Sequence, residues 1–501
     1  MALETELKLR IAPEHLNGLK RHSLLKTLSA ARATTRKLYS IYYDTPDLDL
    51  HQGAMALRLR RAGRQWLQTM KGGGGVQAGL HQRNEWEAPV NGEALDFDVL
   101  QACGGVHLPR AVRKKLQAVF VTEFSRTSRM LDFEGAQIEL SLDSGEIRAG
   151  QAIRPISELE LELKSGQPLQ LFRLALRLLD IVPLEIESAS KAEYGYRLFA
   201  NTQTRVVTAL KSDLAQEQEI PAALQSMIWS CLFHLQANVP GAVESLDDEY
   251  LHQVRVALRR MRVALGIVKT FRADGELLAL SNELAALGIE LGRSREWDVF
   301  CTQTLSPVCA RLPEHAGLRQ LSAASAQLRE QHHGQVRNAL QGQNFQRLLL
   351  RFGAWMNGDY WNEASADVAT SLPQFAEKIL QRRSKQVHKL GKKIDQPAAA
   401  SQLHQLRIAC KKLRYSAELL APLFAQGRAR RYVATLSELQ DILGALHDIA
   451  VADGFLDELD TQVAHETTAL VRGWIAHDYT QLLARFDTAW LHFSRRKAFW
   501  V

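Results

Sequence analysis

Cysteine is scarce in this chain and scattered. Its five residues, Cys103, Cys231, Cys301, Cys309 and Cys410, are odd in number and form no CxxC pair, which excludes a disulfide framework and a thiolate zinc site. Reduced thiols are expected. No apolar run approaches the roughly 18 residues that cross a bilayer. The opening MALETELKLR is charged rather than signal-like, so no membrane association and a cytoplasmic location are expected. A large excess of one charge is also missing: a net charge of +7 over 501 residues gives no general basic field, which argues against DNA as a partner. What is present is ordinary for a globular protein, 46% hydrophobic and 23% charged residues. The length exceeds what one core supports, so at least two domains are expected.

Two patterns divide the chain. Up to about residue 200, short alternating segments are separated by turn signals (Asp44-Thr45-Pro46, Gly72 to Gly75, Asn91-Gly92, Gly104-Gly105, Ser144-Gly145), the mark of strands. From about Glu217 long 3.6-period segments with few prolines predict helices. Inside this second region HQVRVALRRMRVAL from His252 returns as HQLRIACKKLRYSAEL from His404, and LGRSREWDVF from Leu291 returns as LGALHDIAVA from Leu443. Both offsets are 152 (404 − 252 and 443 − 291), which predicts an internal duplication of two helical bundles. The expected layout is α+β: a barrel domain at 1–202, a linker at 203–217 and an all-α domain of two duplicated bundles at 218–501.

The strands of the first region share one charged face. Glu4, Glu6, Lys8 and Arg10 alternate with Thr5, Leu7 and Leu9; Arg58 and Arg60 with Leu57 and Leu59; Thr69 and Lys71 with Met70. Arg83, Glu85 and Glu87 alternate with Asn84 and Trp86, Glu139 and Asp143 with Ile138, Leu140 and Leu142, and Glu158, Glu160, Glu162 and Lys164 with Leu159, Leu161 and Leu163. One such strand has a solvated face; six predict a closed antiparallel barrel with a polar lumen and helices covering its outside. Both signs share that lumen, so the carboxylates call for a hard divalent cation and the Arg and Lys for an anion. Oxygen-only ligands suit Mg²⁺ or Mn²⁺, and arginine forks match phosphate oxygens. The glycine run Gly72 to Gly75 lacks the Gly-Lys-Ser/Thr ending of a P-loop and is expected as a hairpin between strands.

These residues also carry a resemblance. ETELK at Glu4 to Lys8 resembles the ExExK signature of the CYTH superfamily, the tunnel-barrel group of class IV adenylyl cyclases, thiamine triphosphatases and inorganic triphosphatases, which implies an antiparallel eight-stranded β tunnel barrel. Agreement extends through YYDTPDLDLHQGAMALRLRR (Tyr42 to Arg61), QTMK ending at Lys71, RNEWE (Arg83 to Glu87), FSR ending at Arg126, LSLDSG (Leu140 to Gly145), ELELELKSG (Glu158 to Gly166) and SKAEYGYRL (Ser190 to Leu198). The resemblance implies that Glu4, Glu6, Glu160 and Glu162 hold the cation, with Glu85, Glu87 and Asp143 as further carboxylates. It implies that Lys8, Arg58, Arg60, Lys71, Arg126 and Lys191 grip the phosphates, and Arg83 is counted with them. Glu6, Lys8, Asp143 and Glu87 are the candidate catalytic residues, with Glu6 or Asp143 orienting the attacking water. Two registers stay open: Glu158 shares the face of Glu160, and Arg129 lies close to Arg126.

In the second region His252, Arg255, Arg259 and Arg262 fall on one side of a helix, as do His404, Arg407, Lys411 and Arg414. A like-charged row weakens an isolated helix, and a polyanion offsets that cost. Guanidiniums next to His252 and His404 would repel a metal. These stripes, with LGRSREWDVF and LQDILGALHDIAVA, resemble the CHAD domain, which implies a duplicated four-helix-bundle domain with a basic groove for inorganic polyphosphate; no aromatics interleave the stripes as a nucleic-acid platform requires. The domain order resembles that of bacterial two-domain inorganic triphosphatases. The expected function is hydrolysis of inorganic triphosphate to diphosphate and phosphate, with polyphosphate bound by the helices. The alternatives are a thiamine triphosphatase, a class IV adenylyl cyclase-like enzyme and a non-catalytic polyphosphate-binding adaptor.

Overall fold

The computed structural model describes every residue except 1, 30, 78, 103–106, 203–204, 210–211, 245–246, 362–369, 396–397 and 501. Cys103, the Gly104-Gly105 turn and positions 203–204 and 210–211 of the expected linker lie outside the described residues; Cys231, Cys301, Cys309 and Cys410 are free thiols. The chain forms two compact units, Met1–Arg205 with Gln341–Asn362, and Val206–Leu340 with Glu363–Val501.

In the first unit nine strands make one antiparallel sheet: β1 (Ala2–Ile11), β2 (Thr34–Asp44), β3 (Met55–Ala62), β4 (Gln65–Gln77), β5 (Leu80–Val90), β6 (Gln117–Phe133), β7 (Ala136–Ala149), β8 (Ala152–Ser165) and β9 (Leu184–Ile186). Their order is β5-β4-β3-β2-β6-β7-β8-β1-β9, and a further β5–β1 pairing closes eight of them into a barrel. β9 extends the same edge of β1 beyond β5, pairing with Leu9 to Ile11. Closure follows from the alternation. Leu7, Leu9, Leu57, Leu59, Met70, Leu159 and Leu161 are wholly buried on the outward face, each contributing about 1.5–3 kcal/mol on burial. The covering helices are α1 (Pro13–Arg21), α2 (Ser23–Leu28), α3 (Asp49–Gln52), α4 (Phe97–Ala102), α5 (Arg110–Arg113), α6 (Pro168–Leu179) and α7 (Lys191–Ala200). Leu50 of α3 and Leu100 of α4 pack with Leu57, Met70 and Trp86.

Two local expectations are corrected. Gly72 to Gly75 make no hairpin: they lie inside β4, where the β4–β5 register shifts and Gly73 and Gly74 take positive φ. Ser144-Gly145 is no turn either, because β7 runs through it with Gly145 opposite Phe124. In both places glycine marks a bulge or a close approach rather than a chain reversal.

The helical segments are α8 (Ile220–Glu244), α9 (Asp248–Phe271), α10 (Gly275–Val299), α11 (Ser306–Arg311), α12 (Ala316–Gln341), α13 (Gln343–Met356), α14 (Leu372–Gly391), α15 (Ala400–Leu420), α16 (Gln426–Leu459) and α17 (His465–Ser494). The helices that carry the repeated motifs, α9 and α15, begin 152 residues apart (400 − 248) and pack on each other. One core of this unit centres on Trp297, stacked on Phe455 at 4.0 Å. α13 belongs to the first unit: it packs on α6 and β9, Gln346 Oε1 accepts the Ile186 N–H at 2.9 Å, and Arg347 pairs with Asp180 at 2.8 Å.

Candidate functional site

The charged face of the strands lines the lumen, because its ion pairs reach over an intervening strand: Arg126 of β6 to Glu160 of β8, Lys71 of β4 to Glu4 of β1, and Arg58 of β3 to Glu85 of β5 at 3.4 Å. Lys8 of β1 pairs with Glu160 at 2.5 Å and Glu6 at 2.9 Å. Lys191, in the first turn of α7 and set there by the Ser190 cap, reaches Asp143 at 2.8 Å, Glu158 at 2.5 Å and Glu160 at 2.9 Å. Arg126 donates to both oxygens of Asp143, at 2.8 and 2.6 Å. Asp143, Glu158 and Glu160 are all buried, with ligand oxygens within 4.8 Å of one another. An all-oxygen trio of this kind fits a hard divalent cation.

The electrostatics follow from this crowding. Burial alone would raise the Glu160 carboxyl, yet Lys191, Lys8 and Arg126 hold it well below its ordinary value. The partners respond in kind: despite burial, Arg126 and Lys191 are raised well above theirs by the facing carboxylates. Glu4 is raised by burial, against the pull of Lys71. Burial and then Lys8 push His81 down to about 3, so it stays neutral. Arg58 and Arg60 have less acid around them. Arg60 is lowered to about 10 by burial and by Arg58, and Arg58 Nε is buried without a hydrogen-bond partner among the described residues. The Tyr42 phenol bonds to Arg58, and Ser40 Oγ accepts from Arg60 at 3.2 Å.

The expected residues therefore divide. Glu4, Glu6, Lys8, Arg58, Arg60, Lys71, Glu85, Arg126, Asp143, Glu160 and Lys191 share the lumen-facing network, joined by Glu158. Glu162 lies opposite Glu6 in the β1–β8 ladder, 28% exposed, and pairs with Lys164, which also meets Glu139. Glu87 is exposed and accepts from Thr69 Oγ1 at 2.8 Å, and Arg83 is half-buried opposite Glu4 in the β1–β5 ladder. Arg129 bonds Ser29 Oγ at 3.1 Å and the Leu25 carbonyl of α2 instead. Sequence reasoning missed an aromatic group on the lumen side: Tyr42 stacks on Phe120 at 4.4 Å, and Arg126 and Lys191 lie over the Phe124 ring.

In the helical unit a cavity of about 830 Å³ collects both stripes: His252, Arg255 and Arg259 from α9, and Arg407, Lys411 and Arg414 from α15. Arg262 and His404 are exposed and do not line it; the His404 ring lies 5.1 Å from that of His447, which does. Arg259 donates to the Tyr415 hydroxyl and Arg414 to Gln440 Oε1, each at 2.9 Å. Burial, then Arg259, lowers Arg255 to about 10; burial, then Arg407, Arg259 and Arg255, lowers Lys411 to about 7. Carboxylates are also present, Glu296 and Asp448, and Trp474 of α17 brings an aromatic wall that the stripes themselves lack. A second acidic group, Asp248, Asp298 and His333, is spanned by Arg329, which pairs with Asp298 at 2.7 Å and Asp248 at 2.6 Å. Its charge is already met by that guanidinium.

A closed antiparallel barrel with acid and base paired in its lumen, joined in one chain to a helical unit with a cationic cavity, defines a two-domain architecture. Comparison identifies the parts: residues 2–196 match the model of the CYTH domain and residues 226–457 that of the CHAD domain, so the chain carries both. Among curated proteins, an inorganic triphosphatase of Haemophilus influenzae is 35% identical over 202 residues, covering 40% of this chain and 55% of that protein. The match thus spans little more than half of that relative. Among solved structures, the CHAD domain of Ricinus communis is 28% identical with a TM-score of 0.50, covering 59% of this chain and 97% of that one. Among the described residues no helix is long and apolar enough to cross a membrane.

Proposed function

We propose that the barrel is a divalent-metal-dependent hydrolase of inorganic triphosphate, releasing diphosphate and phosphate, and that the helical cavity binds inorganic polyphosphate. The observation that carries the first part is the gathering of Lys8, Arg126 and Lys191 on the one carboxylate of Glu160. The same three cations also meet Glu6, Asp143 and Glu158, so acid and base lie within reach of one another in a single lumen, the arrangement that a divalent cation and a phosphate chain entering together would each find partners in. As the chain enters, the cations exchange carboxylate for phosphate oxygens. Asp143, Glu158 and Glu160, with Glu4, Glu6 and Glu85 along the lumen, are then free to hold Mg²⁺ or Mn²⁺.

Such an ion, when bound, would neutralise phosphate charge and polarise the anhydride. The chain's own residues do the rest. Lys8, Arg58, Arg60, Arg126 and Lys191 orient the chain and stabilise charge on its oxygens, while Glu6 or Asp143 accepts a hydrogen bond from the attacking water. The relative's activity supports this reading, as does the oxygen-only donor set. Phosphate release from triphosphate, ATP and thiamine triphosphate, each with and without Mg²⁺ or Mn²⁺, tests it. Release from triphosphate that needs the metal is expected; none with either metal overturns the proposal.

For the helical unit, Arg255, Arg259, Arg407, Lys411 and Arg414 converge on one cavity, where burial first and neighbouring cations second lower Arg255 and Lys411, and a polyanion would supply the counter-charge. Retention on immobilised polyphosphate is the corresponding measurement.

A further inference from the structure

One end of the barrel lumen holds an apolar cluster. Strand alternation puts Leu38 and Tyr42 of β2, Phe120 and Phe124 of β6, Ile147 of β7 and Ile156 of β8 on the same face as Arg60, Arg126, Asp143 and Glu158, and these six are buried in one cluster with Tyr196 of α7. They lie near the start of β6 and of β8 and the end of β2 and of β7, which in an antiparallel barrel is a single mouth. α7 covers that mouth. Gly195 sits so close to Phe120 that a Cβ there would come within 2.1 Å of the ring, and Tyr196 meets Phe120 edge-on at 5.1 Å. The apolar cluster directly abuts the charged site: the Phe124 ring lies 5.2 Å from Lys191 Nζ and 5.6 Å from the Arg126 guanidinium.

A phosphate chain cannot pass such a wall, because each phosphate carries charge that would lose its water without gaining a partner. We propose that the barrel is a dead-end pocket in which Phe124, backed by Phe120, Tyr42 and Tyr196, stops the free terminus of the phosphate chain and so fixes which anhydride meets the catalytic groups. This rests on the triphosphate reading above and adds to it a registration residue. With its end against Phe124, a chain of any length is cut at one distance from that end. Water adds to one phosphorus, the bridging oxygen leaves with the adjoining phosphate, and the product pair is set by the wall.

Linear tetraphosphate separates the cases, since it can give either phosphate plus triphosphate or two diphosphates. Initial products are resolved by ³¹P NMR for the wild-type chain, Phe124→Ala and Phe124→Leu, with folding checked by circular dichroism. The wild type is expected to give one pair in at least ~10-fold excess, a discrimination of the size that pocket fit supplies. Phe124→Ala, which deepens the pocket, is expected to give both pairs, and Phe124→Leu, which keeps most of the bulk, the wild-type pair. Comparable amounts of both pairs from the wild type would overturn the inference. So would an unchanged pair from folded Phe124→Ala, or, if that variant does not fold, from Phe120→Leu, which shortens the backing ring and is expected to loosen the ratio. Wild-type enzyme that cleaves neither triphosphate nor tetraphosphate overturns the parent reading instead, and is told apart by its silence on triphosphate.

Discussion

Arg126 and Asp143 face each other across the β6–β7 ladder, and the guanidinium donates to both carboxylate oxygens while Asp143 is wholly buried. Removing Arg126 leaves the buried Asp143 carboxylate with Lys191 as its remaining ion-pair partner among the described residues. Arg126→Ala is therefore expected to lower stability by about 3 kcal/mol, the low end for a broken buried pair. Urea denaturation of the whole chain measures it.

Glu160 is the carboxylate held by three cations, so charge rather than shape is its contribution. Glu160→Gln is expected to keep triphosphate binding, with fewer carboxylates competing for the cations. Metal-dependent release of phosphate should fall by at least ~10²-fold, as when one preorganised electrostatic group is lost. Isothermal titration and phosphate release, run together, separate these effects.

Within the α9 and α15 stripes the structure distinguishes residues that the spacing treats alike. Arg255, Arg259, Arg407 and Arg414 reversed to Glu are expected to abolish retention on polyphosphate, whereas Arg262→Glu, exposed away from the cavity, should leave it within about twofold, the effect of a screened surface charge. Equal losses from both would argue against the cavity as the binding surface.

Lys411 supplies a pH dependence whose sign is fixed by its surroundings. Burial and the neighbouring arginines bring it down from 10.5 to about 7. Between those values the unfolded chain holds more protons than the folded one, so stability of the free protein rises with pH across that window. A bound polyanion reverses the penalty, and binding near pH 8 should take up a proton. Calorimetry in buffers of different ionisation enthalpy reads that uptake, and Lys411→Arg should remove it while binding persists.

How far the sequence carried these conclusions varies by residue. The alternation of Glu158, Glu160, Glu162 and Lys164 displayed a charged face, but barrel stagger decides which of them meets Lys191: Glu158 and Glu160 do, while Glu162 pairs with Lys164. The aromatic wall was hidden for a different reason. Around Phe120 both faces of β6 are apolar, and the ladder that sets Tyr42 opposite Phe120 joins strands far apart in the sequence. Trp474 reaches the cavity from a helix far along the chain, beyond any local spacing rule.

α13 reads as one more amphipathic helix in a helical stretch, and periodicity cannot say which core receives it. Its place against α6 and β9 has a consequence for biosynthesis. A ribosome that has released residues 1–205 has not yet made the helix whose Gln346 closes the backbone of β9 and whose arginine meets Asp180. The barrel unit must therefore wait, one docking site vacant, until translation has passed Met356.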